Sequence, residues 1–162
     1  AGFGATLPQV PIAFIIAGMG GIAGNILASR MIGRFGNDVL SAASILGLII
    51  GIAALALAFG NFGFGLGAIF VWGLGSFSVT SLQQSRLVRA VPSLASVTVA
   101  LNTSVLYLGQ AIGVVTGSLA IQGSITPLVA WLAMPFVCAA LLVSLAVPHF
   151  GSNALDRSQT DV

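Results

Sequence analysis

The chain has 162 residues, of which 57% are apolar and only 5% are charged. A soluble globular domain carries about 25% charged residues, so five arginines and three aspartates are too few to cover a surface that faces water. The net charge of +2 does not indicate a nucleic-acid partner, because the five cations are scattered and form no basic stripe.

Five apolar runs separate the few charged residues, and each run is about as long as the roughly 20 residues that cross a hydrocarbon core. They predict an all-α, polytopic membrane protein with five transmembrane helices, whose first partner is the lipid bilayer. The predicted spans are residues 8–29, 39–59, 64–85, 96–121 and 127–148. We expect residues 1–148 to form a partial transmembrane bundle and residues 149–162 to form a cytoplasmic tail.

The arginines indicate how these spans are oriented. Arg30 and Arg34 lie in the first gap, Arg86 and Arg89 in the third, and Arg157 in the tail, whereas the second and fourth gaps have none. Short loops that carry arginine stay on the cytoplasmic side, so the pattern predicts an external N-terminus and a cytoplasmic C-terminus. An external N-terminus without a signal sequence favours one further helix upstream, which would make six.

The third predicted span carries a polar stripe at helical spacing that leads toward Arg86. We interpret this stripe as the wall of an aqueous path, with an interfacial anchor at Trp72 and headgroup contacts at the glutamines as the alternative. The candidate substrate-cavity residues of the stripe are Trp72, Ser76, Thr80 and Gln83.

The fourth predicted span has polar side chains and glycines together on one side and aliphatic side chains on the other. Its candidate cavity residues are Asn102, Thr103, Tyr107 and Gln110, and its glycines at every fourth position are Gly109, Gly113 and Gly117. Such glycines permit close helix packing, so the polar groups would either touch a solute or form interhelical hydrogen bonds beside a packing seam.

The predicted spans supply few groups for chemistry, since no charged residue lies within them. If the protein moves solutes by proton coupling, the titrating carboxylate is therefore expected outside this chain. A serine nucleophile would need a neighbouring base and an orienting group, which the spans do not supply, so we predict no catalytic residue and no enzyme. Metal-ligand and cofactor motifs are also missing from the sequence, and we expect neither a metal nor a cofactor.

Two stretches resemble the C-terminal half of a major facilitator superfamily transporter. The segment Gly24-Asn-Ile-Leu-Ala-Ser-Arg-Met-Ile-Gly-Arg-Phe-Gly36 is similar to the loop motif G-N-x-L-A-G-R-x-A-D-R-F-G of the twelve-helix drug–proton antiporter and sugar-efflux permease branch. The segment Leu101-Asn-Thr-Ser-Val-Leu-Tyr-Leu-Gly-Gln-Ala-Ile-Gly-Val-Val-Thr-Gly-Ser118 resembles the glycine-spaced eleventh helix of that branch. Ser29 and Gly33 depart from the loop motif, since they stand where it has glycine and aspartate.

The resemblance implies that the five spans are helices eight to twelve of such a transporter, with the first helix of this half and the N-terminal bundle as partners outside the sequence. It implies proton-coupled efflux of a small solute, such as a drug or a sugar, by alternating access in a bacterial inner membrane. Arg30, Gly33, Arg34 and Gly36 would belong to a cytoplasmic gate. The alternative is a structural or accessory membrane subunit, or one that assembles with itself into a channel, without transport activity.

Overall fold

The computed structural model describes residues 6–58, 60–122 and 129–160, and it contains no strand in these ranges. The all-α prediction is confirmed for this part of the chain. The described ranges contain four α-helices, namely α1 (Val10–Leu57), α2 (Phe62–Ala90), α3 (Ala95–Gln122) and α4 (Val129–Thr160). Short 3-10 helices, Leu7–Gln9 and Pro92–Leu94, precede α1 and α3.

The prediction of five separate helices was wrong, because the first two predicted spans are joined in α1 without a loop. Gly36 interrupts α1 with φ 77° and ψ 165°, a conformation that is almost restricted to glycine. A straight helix of 48 residues would be about 72 Å long. Instead, residues 10–35 and residues 37–57, which we call the first and second arms of α1, both pack on α2, so the chain reverses at Gly36.

Hydrogen bonds and close contacts show the direction of each arm. In the first arm, Asn25 bonds to Ser81, and Gly73 of α2 lies against Ala17, so sequence numbers rise together in the arm and in α2. In the second arm, by contrast, Asn37 bonds to Ser85 while Gly51 lies against Trp72. The first arm is therefore parallel to α2 and the second is antiparallel to it.

The turn into α2 follows from its own residues. Gly60 has φ 74°, and the Asn61 side chain accepts a hydrogen bond from the Phe64 backbone N–H at 3.0 Å. An asparagine in this position satisfies one of the free N–H groups at a helix start. This polar turn occupies the second gap, where the sequence predicted a loop.

The last two helices differ in how they contact the rest of the chain. Helix α4 packs against α1, whereas the main helix contacts of α3 are with α2. Ala120 alone is buried among the α3 side chains that are described, so most of that helix is open. The helical backbone of α4 continues to Thr160, beyond the boundary at residue 148 where the sequence predicted a tail.

Three helical stretches in the described ranges are long and apolar enough to cross a membrane. They are Val10–Leu57, Phe62–Ala90 and Pro92–Ala120. In α4 the apolar stretch Trp131–Ala146 is shorter than these.

Candidate functional site

A polar cluster joins three helices beside the reversal at Gly36. Arg86 of α2 places Nη2 2.9 Å from Oδ1 of Asp38 in the second arm of α1. Its Nη1 donates a hydrogen bond to the Ser144 hydroxyl of α4 at 3.1 Å. The Arg86 side chain is 15% exposed and that of Asp38 is 59% exposed, so the ion pair reaches from the interior to the surface.

The buried part of this cluster consists of hydroxyl and amide groups. Gln83 donates from Nε2 to the Ser41 hydroxyl at 3.1 Å, and the hydroxyls of Ser41 and Ser144 lie 3.5 Å apart. Ser41 is fully buried and Ser144 is nearly so. Because buried polar groups are costly without partners, these mutual bonds hold α1, α2 and α4 in one arrangement.

Asn37, directly after the reversal, fastens the second arm to the end of α2. Its Nδ2 donates to the Leu82 carbonyl at 3.2 Å and to the Ser85 hydroxyl at 2.9 Å. Its Oδ1 is buried and has no hydrogen-bond partner within the described part of the chain. Leu82 also packs with Ala28 and Leu40, so both arms meet α2 at this level.

The predicted gate residues lie close to the cluster in sequence and are open to solvent. Arg30, Gly33 and Arg34 are all exposed, and a methyl group at Gly33 would meet no atom within 4 Å. The Arg34 guanidinium lies 5.6 Å from the centre of the Phe35 ring, within the range of a cation–π contact. Of the predicted gate set, Gly36 has the most specific structural role, since its backbone makes the reversal.

The predicted stripe on α2 divides into parts with different surroundings. Trp72 lines an apolar cavity of about 580 Å³ together with Phe14 and Phe77. Thr80 donates its hydroxyl to the Ser76 carbonyl one turn earlier, a bond within the helix. Gln83 belongs to the buried cluster, so its amide is held by Ser41.

The predicted residues on α3 are mostly open. Asn102 and Thr103 are half-buried, and the Thr103 hydroxyl donates to the Val99 carbonyl at 2.9 Å. Tyr107 and Gln110 are exposed. At each glycine of the predicted seam a methyl group would meet no atom within 4 Å; these are Gly109, Gly113 and Gly117. No hydrogen bond between side chains in residues 6–58, 60–122 and 129–146 joins the α3 set to the stripe on α2.

Sequence reasoning missed the partners of the cluster. It interpreted Arg86 as a topology signal, and it did not single out Asp38, Ser41 or Ser144. One signal was available, because Asp38 is the only acidic residue before residue 156 and lies in the same gap as Arg30 and Arg34. The serines gave no signal, since a single hydroxyl in an apolar helix can also bond to the backbone carbonyl one turn earlier.

The described part of the chain contains no group of three metal-ligating side chains. Comparisons with protein-family models, with curated proteins and with solved structures gave no match for this chain.

Proposed function

We propose that this chain is part of a secondary active transporter of the major facilitator type, which exports a small solute by alternating access. The chain would lie in a bacterial inner membrane, with the arginine-bearing ends of its helices and its C-terminus in the cytoplasm. The solute would be a drug-like or sugar-like molecule. Protons that move in the opposite direction would drive its export.

The observation that carries this proposal is the reversal at Gly36. The two arms of α1 meet at Gly36, the last glycine of the segment Gly24–Gly36 that resembles the transporter motif. Arg30 and Arg34 precede this glycine, and both arms pack on α2. The resemblance to the transporter motif implies an arginine-bearing connection between two antiparallel apolar helices, and here the arginines lie at the end of the first arm. Asp38 and Arg86 link the reversal to the end of α2, so the first and third arginine-bearing regions share one end of the helices.

The open polar face of α3 supports a transport path. Tyr107 and Gln110 are exposed on a long apolar helix, together with glycines that have free space above them. Exposed polar groups on such a helix are unfavourable against lipid, so we expect them to face other helices and a water-filled cavity. In the proposed transporter these further helices come from the other bundle.

Proton coupling would require a titratable group in the membrane. Asp38 is paired with Arg86 at the end of the helices, and α3 carries no carboxylate. We therefore assign the coupling carboxylate to another part of the complete transporter and assign to this chain the solute path and the cytoplasmic gate.

The test is solute flux in proteoliposomes that contain the complete protein. An imposed pH gradient should drive accumulation of either a lipophilic drug or a disaccharide, and a proton ionophore should abolish it. Gln110→Ala should reduce the rate, while Leu108→Ala, on the opposite side of the same helix, should leave it unchanged. Flux no greater than in empty liposomes for both solute classes would contradict the proposal.

The open glycines of α3 also favour a second candidate, a channel formed by several copies of the chain. The free space above Gly109, Gly113 and Gly117 would accept a close helix contact from another copy. A channel would conduct ions down their gradient without any pH gradient, so single-channel conductance in a planar bilayer distinguishes it from the transporter.

A further inference from the structure

Helix α4 packs on α1 and reaches the polar cluster with one buried side chain. Among the α4 side chains that the structure describes, Ser144 alone is buried, and the half-buried Val137 and Leu141 lie on the same side of the helix. Large apolar side chains of α4 are instead exposed, including Phe136 at 79% and Leu142 at 69%. In the bilayer location proposed above, apolar side chains gain little from leaving lipid, so packing and hydrogen bonds decide where a helix docks.

Ser144 contacts the Arg86 guanidinium, which also pairs with Asp38. The Arg86 guanidinium donates from Nη1 to Ser144 and approaches Asp38 with Nη2. Both nitrogens belong to one planar, rigid fork, so the direction of one contact limits the direction of the other. Asp38 lies two residues after Gly36, where the backbone of α1 reverses.

We propose that Arg86 couples the docking of α4 to the reversal of α1, so that loss of the Asp38 contact releases α4. The Arg86 side chain is only 15% exposed in the ion pair, so loss of the Asp38 carboxylate would leave its guanidinium partly buried without a counter-charge. A partly buried, uncompensated charge is unfavourable, so the side chain turns toward water and leaves the Ser144 hydroxyl. Asp38 therefore acts on α4 through Arg86, without a direct contact. No solute is needed for this effect.

The test uses distances between spin labels, with the chain in lipid nanodiscs. The native Cys138 is the only cysteine of the chain and is exposed on α4, and Leu57→Cys supplies a second exposed site at the end of α1. Asp38→Asn should broaden the distance distribution between these labels, and so should Ser144→Ala. Asp38→Glu keeps the carboxylate and should restore the narrow distribution. Arg89→Gln removes an exposed arginine of α2, the helix that carries Arg86, and should leave the distance distribution narrow.

A second label pair separates release of α4 from general loosening of the fold. Leu57→Cys and Val88→Cys, in a Cys138→Ser background, report on α1 and α2 alone. The distance distribution of this second pair should stay narrow in Asp38→Asn. Equal broadening of both pairs would overturn the proposal, because Asp38 would then act on the whole fold. A narrow α1–α4 distribution in Asp38→Asn, with broadening in Ser144→Ala, would also overturn it.

Discussion

Arg86 and Asp38 form an ion pair of 2.9 Å between α2 and the second arm of α1, next to the reversal at Gly36. The two residues are 48 positions apart in the sequence and meet because the second arm is antiparallel to α2. Their contact lies where the C-terminal end of α2 meets the segment Gly24–Gly36 that resembles the transporter motif.

Reversing the charge of either partner should destabilise the chain, and reversing both should restore part of the loss. A fully exposed ion pair contributes about 0.2–1 kcal/mol to the free energy of unfolding. That range is a lower bound for this pair, because Asp38 is 59% exposed but Arg86 only 15%. Asp38→Arg and Arg86→Asp should each lower that free energy by at least this amount, measured by unfolding in sodium dodecyl sulfate. If the double variant loses the sum of the two single effects, the pair has no energetic coupling.

Gly36 should tolerate substitution poorly, in contrast to its neighbour Gly33. At φ 77° and ψ 165° a side chain costs about 1–3 kcal/mol, so Gly36→Ala should reduce the free energy of unfolding by that amount. Gly33 has free space around it and an ordinary helical backbone, where alanine is favoured by up to about 1 kcal/mol. The same unfolding measurement should show that Gly33→Ala is neutral or stabilising. Equal effects would mean that the chain does not reverse at Gly36.

Gly51 should be required for the close approach of the second arm to α2. A methyl group there would lie 2.6 Å from the Trp72 Cα, so the helices must separate. Added atoms in a tightly packed interior cost about 1–3 kcal/mol, which is the destabilisation we expect for Gly51→Ala. Gly18→Ala, on the first arm, has no neighbour within 4 Å and serves as the control. If both variants have the same stability, the arm and α2 do not pack as described.

Helices α2 and α3 could be predicted from the sequence as the spans 64–85 and 96–121, close to their observed bounds, because length and apolar periodicity are local properties. The number of helices, the end of α4 at Thr160 and the contacts between helices could not be predicted. The missing loop between the first two spans could not be predicted, since one residue, Gly36, makes the whole reversal. The pattern around it continues to favour helix on both sides.

Of the polar cluster around Arg86, the sequence singled out Gln83 and none of its partners. Gln83 was placed on a polar stripe from its spacing alone, but its amide bonds to Ser41, which lies 42 residues away. Trp72, from the same stripe, faces an apolar cavity at a different level of the helix. Periodicity identifies the side of a helix, whereas the partner on that side depends on which helix packs there.

The orientation of α2 in the membrane can be tested by labelling from each side. In a Cys138→Ser background, Arg89→Cys should react with an impermeant maleimide from the cytoplasmic side only. Gly63→Cys, at the other end of α2, should react from the outside only. Reaction of both positions from the same side would show that α2 does not cross the bilayer.

Access to position 110 tests the proposed transport mechanism most directly. In the complete protein with Cys138→Ser, a cysteine in place of Gln110 should be reached by an impermeant reagent from one side at a time. Reversing the pH gradient or adding solute should shift its reactivity from one side to the other. Reactivity from both sides at once would indicate a channel, and reactivity that responds to neither change would contradict alternating access.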